Sequence, residues 1–556
     1  MENTEKQTID RRDFLKGAVG VGALATAGIA LTAYSMNPTI SQAVDDEGVI
    51  WDEEVDVLVV GSGTAAFGAI TAKKLDPNAR VLIIEKLSSW GGTSAVSGAT
   101  MWVPRNYPML DAGMNDSKEE ALTYMKACAA GRGDEALFEA YLDNGPKFLE
   151  WARDNLDFGF GLPPARNIVD YYAPLPGYSQ ARGVRAIDSN GVTMVGPGTW
   201  EKIRAIADEL AVEIMFETTA ETLITGSSGI VLGLTASSGS KKINIKVNKG
   251  IILGTGGYDH NKSLMRETQP FPIYNTNACI GNTGDAQIMG AAIGAALSGM
   301  DGSWGWPAFL SKPFNPNFDP NMDIVFDSSV TDSFGWRGKP GSIVVNKYGK
   351  RFGNEGSLYP VFNRAFSTWD TDKLEWSNIP GYFICDSGYT EFFTLPKQLA
   401  VGDPLPDFII TADSLEELAA KLEIDVDGLM QEIDQFNADA ANGVDPRFHR
   451  GEHPCELATS GDIEGLRGLP NCSIAPLVTP PFYGALYVPG IGGTNGGLKI
   501  DGNAQVQNVF GQAIIGLYAV GNCSASVSGG AYCSAGMTVG SGSVMAWAAA
   551  MHIMGA

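Results

Sequence analysis

From residue 55 the chain is apolar at nearly every position, Val55-Asp56-Val57-Leu58-Val59-Val60, the pattern of a strand buried in a parallel sheet. The run breaks at Gly61-Ser62-Gly63-Thr64-Ala65-Ala66 and becomes helical over residues 66–75. It then returns as a second apolar strand, Val81 to Ile84, ending in Glu85. Strand, glycine turn, helix, strand and terminal acid in that order form a βαβ dinucleotide fingerprint. Gly61 permits the tight turn, and Gly63 with Thr64 lets the backbone approach a pyrophosphate at the helix N-terminus. Ala65 completes the turn, and Ala66 keeps the helix close to the strand. Glu85 is placed to accept hydrogen bonds from a ribose diol.

The pattern beyond Glu85 is less regular. Residues 86–106, starting at Lys86, are rich in Gly, Ser and Thr. Backbone amides and hydroxyls there, including Gly92, Thr93, Ser94, Ser97 and Gly98, are suited to lining a flavin or its phosphates. Residues 117–151 read as two amphipathic helices capped at Asp116-Ser117. Residues 167–185 form an aromatic, Pro-broken loop expected on a surface or over a pocket. A helix over 199–210 is followed by strands over 213–224 and 241–248. A further apolar strand, from Lys249, ends in the glycine turn Gly254-Thr255-Gly256-Gly257. Asn282-Thr283-Gly284-Asp285 caps a helix expected to run to about Leu297. Between Trp304 and Gly341 the composition shifts to Pro, Asn, Trp and Phe, and a domain boundary is expected there. A hairpin-like segment spans 342–355 with its turn at residues 347–350. Residues 414–437 are helical. From Pro480 onward the chain reads as Gly-rich loops, an apolar strand over 516–520, and an Ala-rich helix from about Gly540.

At 556 residues the chain exceeds one simple domain. Acids outnumber bases 63 to 39, giving a net charge of −24. The first 43 residues hold four of each sign, so the excess belongs to the remainder. Such a surface repels nucleic acid and anionic lipid. The seven cysteines, at 128, 279, 385, 455, 472, 523 and 533, contain no CxxC pair, and their odd number argues against a full disulfide framework. The four histidines show no metal-ligand spacing, so no metal site is expected. At the N-terminus, Asp10-Arg11-Arg12-Asp13-Phe14-Leu15-Lys16 matches a twin-arginine export signature, followed by a weakly apolar run over 17–34. Ser41-Gln42-Ala43 offers small residues to a signal peptidase. The expected location is the periplasm or the outer face of the cytoplasmic membrane, reached through the twin-arginine translocase. Export of a folded chain suits a protein that loads its cofactor first.

The segments GSGTAAFGA, WGGTSAVSGATMWVP, GIILGTGGYDHN, NTGDAQIMGAAIGAAL, VVNKYGKRFGNE and GLYAVGNCSASVSGGAYCSAG together resemble the fumarate reductase flavoprotein superfamily. Within it they are most similar to the 3-ketosteroid dehydrogenases. The resemblance implies an α/β fold with a Rossmann-like FAD-binding domain in two sequence segments and an inserted α+β catalytic domain. The expected division is a signal peptide over 1–43, the first FAD segment over 48–305, the insert over 306–481 and the second FAD segment over 482–556. Non-covalent FAD is implied. Beyond the fingerprint, Gly256, Gly257, Asp285, Gly521, Asn522, Gly536 and Thr538 are implied to contact it.

Two departures discriminate within the superfamily. Fumarate reductases carry a proton-donating arginine four residues after the Glu of their RFxNE segment, where this chain has Tyr359. They also carry a carboxylate-binding arginine in a C-terminal loop that here reads Ala531-Tyr532-Cys533-Ser534-Ala535-Gly536. The motif expected after the NTGD helix is replaced by Trp304-Gly305-Trp306-Pro307. A dicarboxylate needs cationic clamps, so a neutral aromatic pocket for a flat apolar substrate with one carbonyl is expected.

By the same resemblance, Tyr359 handles the α-proton and Tyr532 helps bind the carbonyl. Gly536 supplies a backbone N–H or Ser534 a hydroxyl, and Tyr171 or Tyr172 completes the pocket. The reaction is then hydride transfer at the CH–CH bond next to a ketone, as reduction or desaturation of a steroid-like enone. A membrane-associated cytochrome or quinone-linked protein is the expected electron carrier. Two alternatives are an extracytoplasmic reductase of an acrylate-type acid, with Arg364 or Arg337 as the clamp, and a flavin-binding electron-transfer or sensor protein.

Overall fold

The computed structural model describes residues 48–163, 169–311, 336–398 and 400–556. The twin-arginine segment, the Ser41–Ala43 site, the start of the 167–185 loop and most of the expected boundary region over 304–341 lie outside them.

The first apolar run forms the strand Glu53–Val60, with its last four residues fully buried. It sits at the centre of an eight-stranded sheet, between Val81–Ile84 on one side and Lys241–Leu253 on the other, parallel to both. Glu213–Met215 extends the parallel order beyond Val81–Ile84, and Ala513–Ala519 extends it beyond Lys241–Leu253. The short strand Gln505–Gln507 closes that edge antiparallel. The sheet therefore joins strands more than 450 residues apart in sequence, as expected for a Rossmann-like body built from two segments. An antiparallel arm, Thr218–Thr225 and Val231–Ser238, grows from the first half of Lys241–Leu253.

The fingerprint helix Ala66–Leu75 packs against the long C-terminal helix Met537–Met554. Close approach here depends on small residues. A Cβ on Gly68 would lie 2.7 Å from Ile252 Cδ1 and 3.1 Å from Ala546 O. Ala65 and Ala66 are fully buried beneath the same turn. Their role is packing, with Ala65 set against Gly254.

A second body is built from residues 342–488 together with the strand Ala308–Phe309. Its five-stranded antiparallel sheet contains Ala308–Phe309, Phe482–Val488, Gly381–Asp386 and Ser342–Asn346 in that order, with Ile410–Ala412 also on Phe482–Val488. One face buries an aromatic core around Phe309, Phe362, Phe366, Phe383 and Tyr487. The other face packs the helices Leu415–Leu422 and Val426–Ala440 through Leu418, Leu429, Ile433 and Phe436. The return to the flavin body set at residue 482 falls inside this sheet; the chain leaves it only after Val488. Gly490–Thr494 then pairs with Ser303–Gly305, so the outgoing and returning strands run side by side.

Several expected limits shift. The helix begun at Asp285 ends at Ala292 rather than near Leu297. The 414–437 helix is two helices, separated by Glu423 in the left-handed conformation and a new cap at Asp425. The two strands expected over 241–253 are one. Strands at 231–238, 381–386, 482–488 and 490–494 were not foreseen. The two helices after Ser117 form as expected, with Ser117 Oγ accepting from the Glu120 N–H. The 347–350 turn also forms, bridging Val345 to Arg351.

Candidate flavin and substrate site

One cavity of about 840 Å3 runs from the fingerprint turn to the boundary between the two bodies. Pockets for drug-sized ligands span roughly 300–1,000 Å3, so this one suits a dinucleotide with room for a small ring. At one end lie Gly61, Gly63 and Thr64 at the start of the fingerprint helix, with Glu85 and Lys86. Gly61 holds φ +99°, and a Cβ there would meet Gly254 O at 2.4 Å. The Glu85 carboxylate is fixed by three donors. Ser62 N and Oγ donate to Oε2 at 2.9 and 2.6 Å, and Leu87 N donates to Oε1 at 2.9 Å. Lys86 Nζ spans to Asp285 Oδ2 at 3.1 Å and Thr283 Oγ1 at 2.5 Å.

The wall continues through Gly92, Thr93, Ser94, Ser97 and Gly98, then Gly256, Asn282, Gly521 and Asn522. Gly536 and Thr538, at the N-terminus of the helix Met537–Met554, complete it. Two helix N-termini thus open on the cavity, each favouring negative charge. These residues fit an FAD: a fixed acid for a ribose, backbone amides for phosphates, and a helix start toward the flavin.

Of the residues expected at the cofactor, Ala65, Ala66 and Gly257 do not line the cavity. A Cβ on Gly257 would lie 2.3 Å from Thr494 Oγ1 and 2.9 Å from Asp259 Oδ2, so this glycine serves the turn. Asp259 is fully buried, and burial pushes its carboxyl up. It accepts from Thr494 N at 2.5 Å and Asn282 Nδ2 at 2.9 Å, which fixes Asn282 in the wall.

At the other end three tyrosines and two tryptophans face one another. Tyr359 begins the short helix Tyr359–Arg364 of the second body. Tyr171 belongs to the loop after Val169, and Tyr532 to the loop before the C-terminal helix. Tyr171 Oη donates to Tyr359 Oη at 3.2 Å. Ring centroids lie 5.8 Å apart for Tyr171–Tyr359, 5.8 Å for Tyr171–Tyr532 and 5.7 Å for Tyr359–Tyr532. Trp306 covers Tyr359 at 4.1 Å, and Trp304 meets Tyr532 edge-on at 5.1 Å. Burial pushes the Tyr359 and Tyr171 phenols well above their ordinary value.

Strand geometry separates Tyr171 from Tyr172. Asp170 bridges Ser534 antiparallel, and Tyr171 N donates to Cys533 O at 3.0 Å. This register turns Tyr171 into the cavity and leaves Tyr172 out of it. The same pairing keeps Ser534 out of the cavity wall. Ser534 is fully buried, and its Oγ donates to Val169 O at 2.7 Å. Behind this loop Arg182 pairs with Asp116 at 2.6 Å and Asp170 at 2.8 Å, all fully buried. Burial pushes the Asp170 carboxyl up to about 7.

Neither candidate clamp lines the cavity. Arg337 is buried with its guanidinium 4.7 Å from the Phe362 ring and a hydrogen bond to Glu355 O. Arg364 is exposed at the end of the Tyr359 helix. The sequence reading missed Arg185, the one arginine in the cavity wall among the described residues. Its Nε donates to Thr100 Oγ1 at 2.9 Å, beside Gly98. Its strand, Gly183–Ala186, pairs with Met101–Trp102, which ties it to the GATMW segment.

Residues 56–539 match the model of the FAD binding domain family, and residues 8–28 match the twin-arginine translocation pathway signal. That signal directs the chain out of the cytoplasm by the twin-arginine route. Among the described residues no helix is long and apolar enough to cross a membrane. The 4-oxocyclohexanecarboxylate 2-dehydrogenase of Sinomonas cyclohexanicum is 30% identical over 550 residues, covering 90% of this chain and 93% of that one. The 3-oxosteroid 1-dehydrogenase of Mycobacterium tuberculosis is 29% identical over 579 residues, covering 90% and 98%. The crystal structure of 3-ketosteroid Δ1-dehydrogenase from Sterolibacterium denitrificans, in complex with 1,4-androstadiene-3,17-dione, superposes with a TM-score of 0.80 at 28% identity. It covers 90% of this chain and 100% of that one. Fold, fingerprint and sequence agree: the chain belongs to the FAD binding domain family and is an FAD-dependent oxidoreductase.

Proposed function

We propose that this flavoprotein transfers hydrogen across the CH–CH bond next to the ketone of a flat, largely apolar ring. The supporting observation is the aromatic end of the cavity, where Tyr171, Tyr359 and Tyr532 converge without either candidate arginine clamp. FAD, when bound, supplies the hydride acceptor or donor. Tyr359 exchanges the α-proton, while Tyr532 and the Gly536 N–H hold the carbonyl oxygen and its developing charge. Burial keeps Tyr359 protonated at neutral pH, which makes it a ready acid for saturation of an enone. For desaturation it must give up that proton first, and burial together with the neighbouring Tyr171 and Tyr532 phenols opposes that loss.

Glu85, Gly61, Gly63 and the Gly92–Gly98 wall hold the cofactor, non-covalently in this reading. No histidine lines the cavity among the described residues, and burial pushes the lining thiol Cys279 up, away from its nucleophilic thiolate. Residues 48–305 and about 490–556 form the flavin domain around an insert that ends near Val488. In this reading the exported protein exchanges electrons with a carrier outside the cytoplasmic membrane, a cytochrome or quinone-linked protein.

The test follows reoxidation of the dye-reduced, FAD-loaded protein by 3-keto-4-ene steroids and smaller cyclic enones, with acrylates as controls. Enones should reoxidise the flavin and acrylates should not. Tyr359→Phe should slow the reaction roughly 10²–10⁴-fold, as expected for loss of a positioned proton donor. Reoxidation by acrylates alone would overturn the substrate class, and unchanged turnover in Tyr359→Phe would overturn the proton assignment.

A further inference from the structure

Trp304 stands where the chain leaves the flavin body, on the short strand Ser303–Gly305 beside the returning strand Gly490–Thr494. Its side chain is 5% exposed and lines the cavity. The indole has two partners. Nε1–H donates to Asn522 Oδ1 at 2.9 Å, and the ring meets Tyr532 at an interplanar angle of 61°.

Asn522 also lines the cavity, directly after Gly521 of the GLYAVGN segment. A primary amide has an acceptor end and a donor end. With Oδ1 engaged by Trp304, Nδ2 is the free end, and it has no acceptor among the described residues. The neighbouring backbone is shaped around this arrangement. Gly493 holds φ +148°, and a Cβ there would lie 2.8 Å from Asn522 Nδ2 and 3.4 Å from Trp304 Cδ1.

We propose that Trp304 is a two-sided positioning residue. Its N–H fixes the polarity of the Asn522 amide so that Nδ2 donates to the bound flavin, and its ring holds Tyr532 in place for the substrate carbonyl. The second half rests on the carbonyl-binding reading of Tyr532; the first does not. A donor at the flavin favours the reduced cofactor, on which negative charge accumulates. Without the indole N–H the amide is free to turn its oxygen toward the flavin and oppose reduction.

The experiment measures the two-electron potential of the holoprotein by dye equilibration, without substrate, for wild type, Trp304→Phe and Trp304→Leu. Trp304→Phe keeps an aromatic ring against Tyr532 but loses the donor. It should disfavour flavin reduction about tenfold, the scale of one ordinary hydrogen bond, which lowers the potential by about 30 mV. Its KM for a turned-over cyclic enone should stay within about twofold of wild type. Trp304→Leu should show the same potential shift and a KM about tenfold higher. In an Asn522→Ala background, Trp304→Phe should no longer move the potential. A Trp304→Phe potential equal to wild type, or an equal shift in the Asn522→Ala background, would overturn the orienting role. Equal KM values for the two Trp304 variants would overturn the bracing role. If no enone is turned over at all, the proposed substrate class fails while the potential measurements still decide the Asn522 half.

Discussion

Glu355 is a buried charge at the centre of the second body, and its removal gives a quantitative test of how its arginine partners are balanced. Its side chain is 1% exposed and lies among two arginines. Oε1 accepts from Arg351 Nε at 2.8 Å and Val344 N at 3.1 Å; Oε2 accepts from Arg351 Nη2 at 2.6 Å and Arg450 Nη1 at 3.3 Å. Arg351 also pairs with Asp445 at 2.7 Å. Two acids and two bases thus balance in the interior. Glu355→Ala leaves one buried positive charge uncompensated and one strand N–H unpaired. Removing one partner of a buried pair costs about 3–5 kcal/mol. For a body of this size that lowers Tm by on the order of 10 °C. Burial alone would raise the Glu355 carboxyl, but Arg351 and then Arg450 outweigh it and hold it below the usual range. A lowered native pKa contributes stability above the unfolded value, near 4.3, and loses it as pH falls through the native value. The gap in Tm between wild type and variant should therefore be full at pH 7 and narrow below about pH 4. Differential scanning calorimetry of the FAD-loaded proteins across that range reads both effects. A gap under about 2 °C at pH 7 would refute the reasoning.

Two further substitutions probe other parts of the structure. Gly536→Ala places a Cβ 2.2 Å from Thr100 O at φ +89°, against backbone that has no rotamer to yield. It should cost about 3 kcal/mol or more from the left-handed conformation and the clash together. FAD content after gel filtration should fall with it, and full retention at unchanged Tm would contradict the assigned packing. Glu456, whose carboxyl is pushed up to about 7 by burial, contributes stability that is complete below its unfolded value and is lost as pH rises through about 7. Glu456→Gln should accordingly lose less Tm than wild type between pH 5.5 and 8, and parallel pH profiles would remove Glu456 as the cause.

The flavin end was legible because its chemistry is written in local order. A buried strand, a turn needing φ above zero and a small-residue helix all fall within three dozen residues. The strands that escaped notice lack that clarity. Gly490–Thr494 reads GIGGT, and glycine weakens strand propensity. Yet a Cβ on Gly490 would lie 2.5 Å from Trp306 O, so packing rather than propensity selects it. Phe482–Val488 is apolar on both faces and carries no alternation to identify it. The substrate end could be read only to within a residue. In extended chain a shift of one reverses the face, and nothing in Asp170-Tyr171-Tyr172 or Tyr532-Cys533-Ser534 fixes the register. The pairing of Asp170 with Ser534 does so, across more than 360 residues.

The cluster of Val169, Tyr171, Leu358, Tyr359 and Cys455 draws on both bodies. Its hydrogen bond between Tyr171 and Tyr359 is therefore a latch across a seam, not a fixture of either side. Drawing the bodies apart by the width of one ring would part the two phenols and strand Tyr359 away from the flavin wall. A substitution on either side of the seam, at Tyr171 or at Leu358, therefore reaches the same pair of phenols.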